Sequence, residues 1–109
     1  MARLAADPEV LYPGMPSVAY CDPAYVEDLF WRGPTWLNIA YFAIDGLDRY
    51  GYHDLAMNIK ETILGWCDGD KRCIFETYNS RTGEGCNAKN FGWSSAFIIQ
   101  MILRWNTNA

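Results

Sequence analysis

At 109 residues the chain is long enough for one small domain and too short for two, and its formal net charge of −4 with an isoelectric point near 4.7 excludes a phosphate-binding surface, so neither nucleic acid nor an anionic membrane is expected as a partner. Half of the residues are hydrophobic and 20% are charged, which excludes a disordered tail; 5 Trp, 7 Tyr and 5 Phe are a heavy load of rings, some of which should face a groove or a partner. No apolar run approaches the roughly 18 residues that span a bilayer, and Met1 to Pro13 holds no apolar core of signal-peptide length, so a soluble chain, cytoplasmic by default, is expected.

Residues 1–34 carry all five prolines (Pro8, Pro13, Pro16, Pro23, Pro34) without sustained periodicity and read as an extended lead-in, with room for a short helical turn at Ala24 to Leu29. After Gly33-Pro34, Thr35 is placed to cap a helix from about Trp36 to Tyr50 that Gly51 stops. That helix is apolar almost all round, which predicts burial on more than one side. The next, from about His53 to Trp66, puts Ala56, Ile59, Ile63 and Trp66 on one stripe and Asn58, Lys60, Glu61 and Thr62 elsewhere; it is an amphipathic outer helix.

A Gly-, Asp- and Asn-rich stretch from Cys67 to Asn90 follows, interrupted only by Ile74 to Tyr78, and loops of that length in a small domain tend to be functional. Ser94 to Trp105 then reads as a second helix apolar on nearly every face, with Ser94 or Ser95 as its cap. The order buried, amphipathic, long loop, buried predicts an all-α layered architecture of alternating inner and outer helices. Two helices apolar all round need more cover than one amphipathic helix and a Pro-rich arm provide. Part of a larger domain, or self-association, is therefore expected.

Four cysteines (Cys21, Cys67, Cys73, Cys86) with one His and no CxxC pair disfavour a zinc site, and no metal or other cofactor is expected. Cys67 and Cys73 bracket a short Asp/Gly/Lys/Arg loop that a disulfide could close, but free thiols are the default without an export signal. His53 beside Asp54 at an outer helix start reads as a cap or surface residue, so a nucleophilic triad is disfavoured. Gly83-Glu84-Gly85 lacks the context of a phosphate loop and reads as a turn.

Three polar segments fall at the ends of the apolar helices. Phe30-Trp31-Arg32-Gly33-Pro34-Thr35-Trp36 sets a guanidinium between two indoles; indole faces accept sugar C–H groups and arginine donates to hydroxyl or carboxylate oxygens. Its plain alternative is a helix start with core Trp residues and a surface Arg. Phe75-Glu76-Thr77-Tyr78-Asn79 holds one carboxylate among apolar and aromatic neighbours, the setting of a general acid or base, or simply a solvated loop Glu. Asn90-Phe91-Gly92-Trp93-Ser94-Ser95 combines a close-approach glycine with a helix cap and a Trp.

At these segments the sequence resembles glycoside hydrolase family 63 and related six-hairpin barrel hydrolases, among them processing α-glucosidase and mannosylglycerate hydrolase. FWRGPTWLNIAYFAIDGLDRYGY is similar to the family's (Y/F)WRGPxW segment and following helix, FETYNSRTGEG to its E-x-Y-(N/D)-P-x-TG loop, and NFGWSSAFI to its F-x-W-(S/T)-A segment, in the same order and over roughly Pro16 to Leu103. Ser80 departs from the usual Pro and Gly92 from a frequent Ser.

The resemblance implies a partial (α/α)6 toroid with a long functional loop, residues 1–21 as an irregular lead-in and 22–109 as the C-terminal portion of a catalytic barrel. It implies an inverting α-glycoside hydrolase with an oligosaccharide or glycoside substrate, Glu76 as general base, and Trp31, Arg32, Gly33, Trp36, Tyr78 and Trp93 lining the sugar pocket. The family's general acid is an Asp far N-terminal of the WRGP segment. Neither Asp22 nor Asp28 aligns with it, which leaves the isolated chain without a complete acid/base pair. A non-catalytic sugar-binding remnant and a helical assembly module are the alternatives.

Overall fold

The computed structural model describes residues 2–69 and 73–105. Leu37, Ala40, Tyr41, Ile44 and Leu47 recur at helical spacing and all are buried, so Leu37–Arg49 forms α2, the helix around which the molecule is organised. α2 follows a four-residue helix α1 (Ala2–Ala5) and a 3-10 turn at Phe30–Arg32. It ends as expected: Gly51 adopts φ +91°, a conformation open to glycine, one residue past the C-cap Tyr50. α3 (His53–Gly69) lies against α2 and buries Ala56, Ile59 and Ile63 of the anticipated stripe, while Trp66, its fourth member, is partly buried.

The chain is mostly helical, but the all-α expectation needs one correction. Thr35–Trp36 (β1), Phe75–Tyr78 (β2) and Gly85–Lys89 (β3) form an antiparallel sheet in the order β1-β2-β3, with Thr35 opposite Tyr78 and Trp36 opposite Thr77. The strands are short, and β1 and β2 are rich in the aromatic and β-branched residues that suit a half-buried pleat. Thr35 consequently does not cap α2. Its hydroxyl donates to Gly14 O, and Trp36 occupies the N-cap position without a side-chain cap. The turn anticipated at Ala24 to Leu29 is also displaced, to Phe30–Arg32.

α4 (Gly92–Arg104) packs on α2 and β2. It begins two residues earlier than expected, with Phe91 as N-cap, so neither Ser94 nor Ser95 caps it through a side chain. Nor is it buried all round: only Ser94 and Met101 are enclosed, while Ile99, Ile102 and Leu103 are 57%, 50% and 71% exposed. Ile39 and Phe42 on α2 are likewise open to solvent. The helices expected to be apolar all round thus leave these side chains open on a slab with extents of 38 × 34 × 18 Å. No described helix is long and apolar enough to cross a membrane.

The lead-in contributes to the core through Ala5 and Met15. At Gly14 an added Cβ would lie 2.0 Å from Ser80 O, so only glycine lets the two backbones meet there. Lys60 belongs to the interior: 3% exposed, its ammonium donates to Trp105 O at 2.9 Å and ties α3 to the end of α4. All four cysteines are free, burial pushing the Cys67 thiol up to about 11. The centre of the loop anticipated between Cys67 and Cys73, residues 70–72, lies outside the described residues.

Candidate functional site

Glu76 lies on β2, the central strand, and is partly exposed. The β2–β3 register changes beside it: Phe75 faces Lys89 and Thr77 faces Cys86, so Asn87 and Ala88 together stand opposite Glu76. Asn87 takes φ +64°, which asparagine tolerates, and donates its side-chain amide to Thr77 Oγ1 at 2.7 Å. The bulge turns the Ala88 N–H toward Glu76 Oε1, at a long 3.5 Å. Bulges of this kind re-aim a side chain at sheet edges and beside active sites. The Glu76 backbone is held from another direction, because Ser94 Oγ at the start of α4 donates to its carbonyl oxygen at 3.1 Å.

A cluster of rings joins β1 to the start of α4. The indoles of Trp31 and Trp36 stack with centroids 3.8 Å apart and planes 9° from parallel. Trp36 is 6.0 Å from Trp93, Trp93 is 5.6 Å from Phe91, and Phe30 is 5.6 Å from Trp36. Trp36 is buried and donates Nε1–H to Phe30 O at 2.7 Å, whereas Phe30, Trp31 and Trp93 each keep between 42% and 50% of their surface open. Because the two indoles contact each other directly, the expectation of a guanidinium between them is corrected. Arg32 is exposed and folds back to donate Nε–H to Ala24 O at 3.0 Å.

Gly33 is buried in the same loop, where a Cβ would lie 2.1 Å from Val26 O; this is close backbone packing rather than an opening for a ligand. Tyr78, expected to line a sugar pocket, is 1% exposed in the core. Its hydroxyl accepts the Phe75 N–H at 3.1 Å, its ring meets Phe75 edge-on, and burial pushes its phenol well above the usual value. Of the anticipated residues, the fold therefore brings Trp31, Trp36 and Trp93 into one aromatic surface. Glu76 is tied to that region through Ser94, and Tyr78 supports the hairpin from beneath.

Asn79 was not singled out by its residue type, yet it is 4% exposed with every amide valence used. Nδ2 donates to Glu27 Oε1 at 2.7 Å and Asp28 Oδ1 at 2.9 Å, and Oδ1 accepts from the Arg81 and Thr82 N–H groups at 2.9 Å each. Cys86 Sγ also donates to Asp28 Oδ1, at 3.4 Å. Beside that carboxylate, burial first and then the hydrogen bond push the Cys86 thiol up to about 12. The signal in the sequence was the turn composition Asn-Ser-Arg-Thr-Gly directly after the strand. Asp22, the other nearby carboxylate, accepts the Ala24 N–H at 2.8 Å in a local turn.

Two open apolar cavities lie elsewhere. One of about 420 Å³ is lined by Phe42, Gly46, Leu47, Tyr50 and Tyr52, and another of about 390 Å³ by Leu64, Cys67, Ile74, Ile98 and Ile102; Glu76 lines neither.

Comparison with known proteins places this arrangement in a defined context. Residues 2–94 match the family described as the mannosylglycerate hydrolase MGH1-like glycoside hydrolase domain. The chain is 36% identical over 74 residues to a mannosylglycerate hydrolase of Rubrobacter radiotolerans, covering 68% of this chain and 16% of that protein. It is 35% identical over 91 residues to mannosylglycerate hydrolase MGH1 of Selaginella moellendorffii, covering 84% and 18%. The crystal structure of the glycoside hydrolase family 63 mannosylglycerate hydrolase from Thermus thermophilus in complex with Tris and D-glycerate superposes with a TM-score of 0.80 at 29% identity, over 90% of this chain and 24% of that one. The chain spans less than a fifth of the length of the two curated relatives.

Proposed function

The chain belongs to the mannosylglycerate hydrolase MGH1-like glycoside hydrolase family, and from that membership we propose that residues 22–109 are the base-bearing C-terminal portion of an inverting α-glycoside hydrolase with an (α/α)6 barrel, residues 1–21 being its lead-in. The observation that carries the reading is the setting of Glu76, a partly exposed carboxylate at a bulge of the central strand whose carbonyl is fixed by Ser94, one residue from the ring cluster at Trp93.

An inverting hydrolase needs one carboxylic acid to protonate the leaving oxygen and one carboxylate to activate water, about 6.5–9.5 Å apart. In this reading Glu76 takes the proton of the attacking water. Trp31 and Trp93 offer exposed indole faces to the sugar, with Trp36 behind them, Gly33 shaping the loop and Arg32 donating at its edge. Tyr78 holds the strand rather than the sugar. The acid is assigned to another part of such a barrel, since neither Asp22 nor Asp28 aligns with the family's acid; here they accept hydrogen bonds from Ala24 N–H and from Asn79. The 109 residues alone then turn over no glycoside at a useful rate. The substrate class is an α-mannoside or α-glucoside of a small hydroxy acid or sugar, in line with the relatives' names. The exposed apolar faces of α2 and α4 are assigned to contact with the remaining helices of such a barrel.

The decisive experiment grafts these 109 residues into the Thermus thermophilus relative in place of its matched segment and measures release of mannose from mannosylglycerate. Turnover that falls by about 10²–10⁴ in Glu76→Gln supports the base assignment. Turnover that survives Glu76→Gln removes it. The partly open Trp31 and Trp93 favour a second reading, a sugar-binding surface without catalysis, for which tryptophan fluorescence of the isolated chain would respond to sugar while the graft stays inactive.

A further inference from the structure

We propose that Asn79 is a positioning residue that docks the 24–33 loop, and with it Trp31 and Arg32, onto the strand carrying Glu76; this deepens the reading of that site and rests on it for its bearing on function. The loop is internally closed: Val26 N–H donates to Arg32 O at 2.8 Å, Arg32 Nε–H donates to Ala24 O, and Gly33 packs against Val26 O. Such a unit moves as one piece, so its place depends on how it is tied to the sheet.

On one side stand the Trp31–Trp36 stack, the Phe30–Trp36 ring contact and the bond from Trp36 Nε1 to Phe30 O, and at the start of the loop the Tyr25 ring meets edge-on that of Tyr20, whose hydroxyl donates to Ser80 O. On the other, both hydrogens of the Asn79 amide reach the carboxylates of Glu27 and Asp28, and Cys86 Sγ adds a weak contact to Asp28. Two adjacent carboxylates repel each other, and a neutral amide with its N–H groups turned toward them satisfies both without adding charge. The amide orientation is fixed independently, because the oxygen is claimed by the Arg81 and Thr82 N–H groups. Asn79 is itself anchored by its backbone N–H to Glu84 O and by Gly83 N–H to its carbonyl, both at 2.8 Å. A rigid turn therefore presents two donors, and the loop supplies two acceptors that match them.

The Trp31–Trp36 stack provides the readout, since it spans the joint between loop and sheet and closely stacked indoles give an exciton couplet in the far-ultraviolet circular dichroism. The couplet is assigned by its loss in Trp31→Phe. Asn79→Asp places a third carboxylate against the two of the loop, and the couplet should disappear while the helical signal and its melt persist. The triple variant Asn79→Asp, Glu27→Gln, Asp28→Asn moves the donors to the loop and the acceptor to the turn, and should restore it. If Asn79→Asp alone unfolds the chain, Glu27→Ala with Asp28→Ala, both exposed residues, serves in its place and should also abolish the couplet. A couplet retained in these variants, no recovery in the triple variant, or no couplet in the unaltered chain each overturns the proposal. None of these readouts involves sugar, so a graft that fails to hydrolyse would remove the catalytic reading and leave the result for Asn79 standing.

Discussion

Ser94 Oγ reaches the carbonyl oxygen of Glu76 at 3.1 Å, so the first turn of α4 and the strand bearing the candidate base share one part-buried hydrogen bond. Ser94 itself is fully enclosed, so removing its hydroxyl leaves the Glu76 carbonyl without its protein partner on that side. Ser94→Ala is expected to destabilise the chain by about 1–2 kcal/mol, read as a lower denaturation midpoint with an unchanged slope. An unchanged midpoint would mean that water replaces the hydroxyl and that the two elements are not coupled through it.

Gly33 is the second point at which sequence and site are inseparable. A Cβ there would meet Val26 O at 2.1 Å, and a backbone oxygen inside a closed loop cannot swing aside as a side-chain tip can. Gly33→Ala should open the loop at a cost of about 1–3 kcal/mol and weaken the Trp31–Trp36 couplet. Gly46, which has open space where a Cβ would stand, is the control: Gly46→Ala should leave the couplet intact and raise the melting temperature slightly. Equal effects of the two changes would contradict the close packing at Gly33.

The acid limb of stability should report Asp48. Hydrogen bonds from His53 at 2.6 Å and from Trp105 Nε1 at 3.0 Å, in that order, hold its carboxyl below the usual range against a smaller opposing effect of burial. A carboxyl with a depressed folded pKa contributes stability that is present above its unfolded value, about 3.9, and is lost as pH falls through the folded value. The unaltered chain should therefore lose stability below about pH 4 more steeply than Asp48→Asn. Chemical denaturation at several pH values measures the difference, and parallel acid limbs would count against the His53–Asp48–Trp105 link.

The same residues show how far the sequence alone could be read. α2 is legible from its Gly51 stop and its apolar run, and the stripe of α3 from the helical spacing of Ala56, Ile59 and Ile63; that α2 buries Leu37, Ala40 and Ile44 but leaves Ile39 and Phe42 open is not, because its residues are apolar on every face. The sheet was not legible, because Thr35-Trp36 is two residues long and its partner Thr77-Tyr78 lies far along the chain; neither shows an alternation by itself. Thr35 and Ser94 look like caps by residue type, and only the neighbouring Gly14 and Glu76 carbonyls redirect their hydroxyls. Helical spacing sets Lys60 off the apolar stripe of α3, but its acceptor, Trp105 O, arrives from the end of α4, a contact that spacing within α3 does not show. Motif order nominates Glu76 and the three indoles as candidates, whereas the contacts of Asn79 are not legible because its acceptors Glu27 and Asp28 precede it by about fifty residues.

The exposed apolar residues of α4 lead to the last prediction. Ile99, Ile102 and Leu103 lie within one helical turn of each other and are each at least half open, while Met101 on the opposite side is fully enclosed. Contiguous apolar surface of this kind marks an interface or an aggregation site. The isolated chain should therefore associate, with a sedimentation coefficient that rises with concentration. Ile99→Glu with Leu103→Lys, an i,i+4 pair in the favourable orientation, should shift the distribution toward monomer while leaving the melt almost unchanged, because neither side chain contributes to the core. Monomeric behaviour of the unaltered chain at all concentrations would mean that these faces are tolerated in water, and that α4 needs no covering helix to remain in place.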